Sequence, residues 1–166
     1  MKNLIILAFL VSFHFFISCS DNSNSYYNNP CFVKLPYTEQ MAIDVTIIDE
    51  YLNEQGIVAE IDESGLRYSI IQEGEGSKPT TDSTVMVKYK GTLMSDNSLF
   101  DENTEGIELP LSLVIDGWKI GLPLIKEGGK IMLYIPSQLG YGCSGSGSSI
   151  PSNANLIFEV EIIEII

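Results

Sequence analysis

The sequence predicts an α+β domain in which an antiparallel sheet half-wraps around one short helix, with a further helix before it. The apolar residues follow helical spacing over residues 39–55 and alternate with a period of two from Leu66 onwards. Within the alternating region the best helix candidate begins near Gly117. With 166 residues, 45% of them hydrophobic, the chain suits one compact domain with extensions.

The first residues have the pattern of an export signal. Lys2 precedes an apolar run over residues 4–17, which has the length of a secretory h-region and is short for a membrane span. The following "FISC" resembles the lipobox of bacterial lipoproteins, although Phe16 stands where that motif prefers leucine. An ordinary cleaved signal peptide and an uncleaved membrane anchor are the alternatives, and all three readings export the domain.

The lipobox resemblance implies a signal peptide over residues 1–18 and a lipid on Cys19. The protein is then expected in the bacterial cell envelope, anchored through this lipid to the outer membrane. Its domain would lie in the periplasm or at the cell surface. The polar stretch 20–29 belongs to a lipid-attached tether over residues 19–37.

A helical extension is predicted over residues 38–60. Its apolar stripe consists of Met41, Val45, Ile48 and Leu52, and Gly56 is a plausible stop. Between Lys34 and Arg67 the chain has eight acidic residues and no basic one. The helix is interpreted as a cap with a solvated acidic face; weak pairing into a homodimer or partner binding is the alternative.

Strands are predicted over residues 66–72, 84–93, 130–136 and 155–165, within a domain spanning 61–166. In the second strand Val85, Val87 and Tyr89 share one face. In the last strand Leu156, Phe158, Val160 and Ile162 point one way, and Glu159 and Glu161 the other. This period of two is typical of a sheet with one buried face.

Charge and residue usage exclude several classes of function. Without the leader, and therefore without Lys2, eight basic residues face 22 acidic ones, a formal charge of −14 that opposes nucleic-acid binding. The only histidine, His14, lies in the leader, so Ser-His-Asp and Cys-His catalysis and histidine-ligated zinc sites are excluded. "KEGGKI" lacks the spacing of a phosphate loop. Neither a metal nor a cofactor is expected.

The cysteines leave one question open. If Cys19 carries lipid, Cys31 and Cys143 can either form a disulfide or stay free thiols. The disulfide would close a loop of about 110 residues and stabilise the fold by up to ~4.7 kcal/mol.

Five motifs follow one another in the strand region. They are "VMVKYKGTL" with Tyr89, "LFDEN" with Phe100 and Asp101, "VIDGWKIGL" with Trp118, "IPSQLGYG" with Tyr141, and "IPSNANLIFEVEI" with Ile150 and Phe158. In order and spacing they resemble the FKBP-type peptidyl-prolyl cis-trans isomerases, over residues 65–165. Together with the leader, the chain resembles the exported lipoproteins of that family.

The resemblance implies an apolar pocket with Trp118 as its floor, where a substrate proline binds. It implies catalytic roles for Tyr89, Asp101, Trp118, Tyr141 and Phe158, and substrate-binding roles for Phe100, Leu109, Val114, Ile115 and Ile150. The Tyr141 hydroxyl and the Ile115 backbone N–H would bind substrate carbonyls. Asp101 would either face the reacting bond or orient Tyr89. The neighbouring glycines are interpreted as allowing a tight backbone turn at Trp118.

The expected activity is isomerisation of X-Pro bonds in exported polypeptides. The alternative is an FKBP-like binding or chaperone module with little catalysis. Three features motivate that alternative: Leu109, in the strand "IELPLSLVI" predicted over residues 107–115 before the helix, replaces a common phenylalanine, Ser149 replaces a common apolar residue, and a loop rich in serine and glycine spans residues 142–149. Together with Pro123, which falls inside the expected helix, these departures from the family leave macrolide binding open.

Overall fold

The computed structural model describes residues 37–166. Helix α1 spans Tyr37–Glu54 and helix α2 spans Asp116–Gly121. The strands are β1 (Glu60–Ile61), β2 (Arg67–Gln72), β3 (Thr84–Leu93), β4 (Leu99–Pro110), β5 (Lys130–Ile135) and β6 (Leu156–Ile165). The predicted signal peptide, the lipid at Cys19 and nearly all of the tether lie outside the described residues.

All six strands form one antiparallel sheet in the order β1-β2-β5-β6-β3-β4. Alternation along the central strands separates two apolar faces. In β5, Ile131, Leu133 and Ile135 belong to the larger core, whereas Met132 and Tyr134 belong to the smaller one. The predicted α+β architecture is therefore confirmed.

Helix α2 packs on the larger core through two glycines. A Cβ atom on Gly117 would lie 2.7 Å from Ile135, and one on Gly121 would lie 2.5 Å from Leu133. Both glycines are helical, so the predicted reason for them, a tight backbone turn, is wrong. They are needed because the helix axis lies so close to β5 that a methyl group would not fit.

Helix α1 covers the opposite face of the sheet. Ile48 and Leu52 are buried against Tyr134 and Ile157 in the smaller core, so much of the predicted stripe is used to cap the domain. Met41 and Val45 of the stripe are half-buried. No helix among residues 37–166 is long and apolar enough to cross a membrane.

The segment between β4 and α2 differs from the prediction. The strand predicted over residues 107–115 ends at Pro110 instead, and a 3-10 turn, Leu111–Leu113, follows. Within this turn, the Leu111 side chain is fully buried. At the other end of α2, the chain leaves the α-helix at Gly121 and forms a 3-10 turn over Leu122–Leu124, where Pro123 is accommodated. The short β1 was not predicted.

Candidate active site

A cavity of about 260 Å³ opens between α2, the strands β3, β4 and β6, and the loop after β5. It brings together eight of the ten residues to which the sequence assigned a catalytic or binding role. Its lining consists of Tyr89, Asp101, Leu109, Leu113, Val114, Ile115, Trp118, Tyr141 and Phe158. Residues from five separate segments thus meet in one apolar concavity.

Trp118 lies at the floor of this cavity and is 4% exposed. Its indole makes edge-to-face contacts with Tyr89, at 5.3 Å between ring centroids, and with Phe158, at 5.2 Å. Such perpendicular pairs are the arrangement that aromatic rings prefer. The buried indole N–H has no hydrogen-bond acceptor among the described residues. The floor is therefore a rigid aromatic surface held by two flanking rings.

Phe100 and Ile150 do not line the cavity. The Phe100 ring packs perpendicular to Phe158, at 5.4 Å between centroids, and so supports the wall from behind. A Cβ atom on Gly91 would lie 2.7 Å from both of these rings, so only glycine fits there. Ile150 is 7% exposed within the larger core. Direct substrate contact by either residue stays a prediction.

Asp101 is hydrogen-bonded to Tyr89, one of the aromatic residues that line the cavity. Its Oδ2 accepts a hydrogen bond of 2.8 Å from the Tyr89 hydroxyl. Burial of the phenol, followed by this bond and the nearby negative charge, raises the pKa of Tyr89 to about 12. The carboxylate itself is exposed at the cavity edge. Asp101 thus orients Tyr89 and also presents a charge to the cavity, so both sequence-based roles remain compatible with its position.

Tyr141 forms the opposite edge of the cavity and is 37% exposed. Burial, with a smaller contribution from the Asp101 charge, raises the pKa of its phenol.

Just beyond Tyr141, Cys143 is disulfide-bonded, so the alternative of a free thiol there is wrong. The other two cysteines, Cys19 and Cys31, lie outside the described residues. The loop is further tied by a hydrogen bond from Ser152 Oγ to the Cys143 carbonyl.

Leu113 lines the cavity although sequence reasoning did not select it. It is 81% exposed and lies at the end of the 3-10 turn after Pro110. The leucines at 109, 111 and 113 alternate as in a strand, which is why the turn was missed. The signal that could have revealed it is Pro110, because proline has no N–H to donate to the sheet and is disfavoured in the interior of a strand.

The cavity offers binding and desolvation rather than bond-breaking chemistry. Its lining contains no Ser, Thr, Cys, Lys or His side chain, and the Tyr89 phenol that bonds to Asp101 keeps its proton because its pKa is raised to about 12. Within residues 37–166 no group of His, Cys, Asp or Glu side chains is placed to hold a metal ion. Its hydroxyl and carboxylate groups lie at the edges, and its floor is aromatic. The arrangement suits a process that needs an apolar environment with a few polar contacts.

Comparison with known proteins agrees with this geometry. A 105-residue stretch is 46% identical to "Probable FKBP-type peptidyl-prolyl cis-trans isomerase FkpA" of Neisseria meningitidis, covering 61% of this chain and 38% of that protein. A 119-residue stretch is 39% identical to FkpA of Escherichia coli K12, covering 70% of this chain and 43% of that protein. The chain thus spans less than half of these relatives' length.

Solved structures give the same result. The crystal structure of E. coli FkpA superimposes with a TM-score of 0.67 at 35% identity, covering 77% of this chain and 62% of that chain. A peptidyl-prolyl cis-trans isomerase of Pseudomonas syringae pv. tomato also gives 0.67, at 29% identity, covering 80% of this chain and 98% of that chain. The sequence model of the FKBP-type peptidyl-prolyl cis-trans isomerases matches residues 75–163, more than half of the chain. The chain therefore belongs to the FKBP-type peptidyl-prolyl cis-trans isomerase family.

Proposed function

We propose that this chain is a peptidyl-prolyl cis-trans isomerase that assists the folding of exported, proline-containing polypeptides. The observation that carries this proposal is the cavity above Trp118, with its edge-packed aromatic rings and two polar groups at the rim. Membership of the family over residues 75–163 supports the same reaction.

The reaction is rotation about one imide bond. Resonance gives that C–N bond double-bond character and a barrier of about 18–20 kcal/mol, so prolyl bonds interconvert unaided in tens to hundreds of seconds. Water favours the charge-separated resonance form, which keeps the bond planar. An apolar cavity that removes water from the imide disfavours this form and brings the planar ground state closer to the twisted state.

The lining residues divide this work. We assign the proline ring to the Trp118 floor, between Tyr89 and Phe158. We assign contacts with substrate carbonyls to the Tyr141 hydroxyl and the Ile115 N–H, and the charge beside the twisting bond to Asp101. Phe100, Leu109, Val114 and Ile150 complete or support the apolar walls. No proton transfer and no covalent intermediate is needed.

The energetic demand is moderate. An acceleration of a million-fold corresponds to about 8 kcal/mol of barrier reduction. Desolvation and preferential binding of the twisted conformer must together supply this barrier reduction, since only interactions that strengthen towards the transition state raise the rate. A small aromatic cavity without acid–base groups can supply both contributions.

The test is isomerisation of short X-Pro peptides by a chain from Ser20 to Ile166, beside its Trp118→Ala variant, with several residues before proline. We expect acceleration by the wild type and its loss in a folded variant. A folded wild type that accelerates none of the peptides would contradict the proposal.

The alternative function, a binding module, is favoured by the exposed Leu113 at the rim. It predicts that the protein binds proline peptides without accelerating their isomerisation.

Residues 1–37 carry a separate proposal. We propose that residues 1–18 are a signal peptide, that Cys19 receives lipid, and that 19–37 tether the extension 38–60 and the isomerase domain 61–166 to the outer membrane. The apolar run and "FISC" support this. Labelling with a palmitate analogue should depend on Cys19; label retained in Cys19→Ser would overturn the assignment.

Helix α1 carries the proposal of weak homodimerisation. The contact between two copies would use Ile43 and Ile47, each 45% exposed on this helix.

A further inference from the structure

A buried carboxylate on α1 reaches the turn that precedes the cavity loop. Asp44 is 1% exposed. Its Oδ2 accepts hydrogen bonds from the backbone N–H of Ser137, at 3.0 Å, and from the Ser137 hydroxyl, at 2.6 Å. Its Oδ1 accepts a bond of 2.8 Å from the Gln40 amide. The two bonds from Ser137 join residues 93 positions apart in the chain.

Among residues 37–166, no lysine or arginine side chain forms an ion pair with this carboxylate. The ion pairs found among residues 37–166 are Arg67–Asp49, Lys119–Asp116 and Lys130–Glu159. A buried charge is costly unless it is hydrogen-bonded, and it adds little to stability even then. The apolar contacts of Ile48 and Leu52 already hold α1 on the sheet. Asp44 therefore calls for a reason other than docking of the helix.

Ser137 is where three chain segments meet. It is fully buried and starts the 3-10 turn Ser137–Leu139. Its N–H is shared with Asn155 Oδ1, at 3.1 Å, while the Asn155 carbonyl accepts a bond from the Met94 N–H. Its carbonyl accepts a bond of 3.0 Å from the Gly140 N–H, and Tyr141 follows directly. A shift of Ser137 would thus be transmitted to Tyr141 through one short turn.

We propose that Asp44 is a positioning residue for the active site: through Ser137 it fixes the turn that places Tyr141 at the cavity edge. Helix α1 is then part of the isomerase site as well as a cap on the sheet. This inference rests on the proposed function, because it assigns the helix a share in the same reaction.

The test is a double-mutant cycle on kcat/KM with Asp44→Ala and Tyr141→Phe. We expect Asp44→Ala to lower kcat/KM about ten-fold in the wild-type background, since small misplacements of active-site groups are costly. In the Tyr141→Phe background the factor should fall below about two-fold, because coupled residues are not additive. An equal factor in both backgrounds, or no loss in a folded Asp44→Ala protein, would overturn the proposal.

Three further variants separate positioning from stability. Asp44→Asn keeps an oxygen for Ser137 and should recover most of the activity. Asp49 lies on the same helix as Asp44 and forms a 2.8 Å ion pair with Arg67 of β2. Asp49→Ala removes this pair, and should lower the melting temperature while leaving kcat/KM unchanged. If Asp44→Ala does not fold, Ser137→Ala takes its place in the cycle under the same criteria, because it deletes only the 2.6 Å bond.

A second measurement does not depend on catalysis, so failure of the proposed function would leave this inference testable. Tyrosinate absorbance, compared between each protein and its Tyr141→Phe counterpart, isolates the Tyr141 phenol. Burial and the Asp101 charge raise the pKa of this group in the native fold. Asp44→Ala should bring it back towards 10.0, its usual value. An unchanged titration in the folded variant would contradict the proposal.

Discussion

The Tyr89 hydroxyl donates a 2.8 Å hydrogen bond to Asp101 Oδ2, across the paired strands β3 and β4. The Tyr89 ring also stands edge-on to Trp118, the cavity floor. One bond at the rim therefore fixes the orientation of a ring that supports the floor. This relationship gives Asp101 a structural role in the site whether or not its charge acts on the substrate.

Removal of the Asp101 carboxylate should be visible in the titration of Tyr89. In Asp101→Ala the phenol loses a bond and a nearby negative charge, both of which raise its pKa. We expect the pKa of Tyr89 to fall from about 12 but to stay above 10.0, because burial is the largest cause of the shift. Tyrosinate absorbance, with Tyr89→Phe as the reference, measures this. A value unchanged in Asp101→Ala would contradict the role of the bond.

The same shift predicts how stability depends on alkaline pH. A folded-state pKa above the unfolded value means that the native protein holds the phenol proton more tightly. The stabilisation is fully present below pH 10 and is lost as the pH rises towards about 12. Urea unfolding at a series of pH values should show this loss in the wild type and a smaller one in Tyr89→Phe. Equal loss in both proteins would disprove the assignment.

Isomerase activity should be insensitive to pH between neutrality and pH 9. The pKa values of Tyr89 and Tyr141 are both raised, so both phenols keep their protons throughout that range. The described residues of the chain contain no histidine. Measurement of kcat/KM on one X-Pro peptide from pH 7 to 9 tests this. A sigmoidal change by a full order of magnitude would reveal a titrating group that the account lacks.

Substitution of the glycine before Trp118 should destabilise the domain. A methyl group at Gly117 would lie 2.7 Å from Ile135, and overpacking of this kind costs about 1–3 kcal/mol. Gly117→Ala should therefore lower the free energy of unfolding in urea. The matched control is Gly117→Ala with Ile135→Val, which removes one of the crowding atoms and should recover part of the loss. If Gly117→Ala is as stable as the wild type, the close approach of α2 to β5 is not as described.

Leu113 should affect substrate affinity without affecting stability. The side chain is 81% exposed, so Leu113→Ser removes almost no buried area. On binding, this leucine can cover an apolar residue of the substrate beside proline. We expect KM for a Leu-Pro peptide to rise roughly five-fold, equivalent to about 1 kcal/mol of lost apolar burial. The rise should be smaller for a Gly-Pro peptide, and equal changes for both would argue against this contact.

Much of the fold could be predicted because its signals are local. The alternation in β3 and β6 and the stripe of α1 follow directly from residue spacing. The turn at Leu111–Leu113 was missed because alternating leucines continue past Pro110 while the backbone curls. Local pattern thus identifies which residues are buried more reliably than it identifies where a strand ends.

The site, too, has residues that local sequence motifs predict and a contact that they do not. Eight of the ten selected residues line one cavity, because family motifs fix both their identity and their place in the sheet. The environment of Asp44 was not foreseen: an acidic residue in an acidic helix was assigned to the solvated face. Its partner, Ser137, lies 93 positions away, and no local pattern reports such a contact.

The most direct test of the central claim uses the single tryptophan of the chain. Only one indole N–H resonance can appear in an ¹⁵N–¹H spectrum, and it reports on the cavity floor. Titration with an X-Pro peptide should shift this resonance to saturation, whereas the matching X-Ala peptide should leave it in place. If the peptide's cis and trans forms exchange rapidly in the presence of the protein while the indole resonance does not move, isomerisation takes place elsewhere and the assignment of the cavity above Trp118 is wrong.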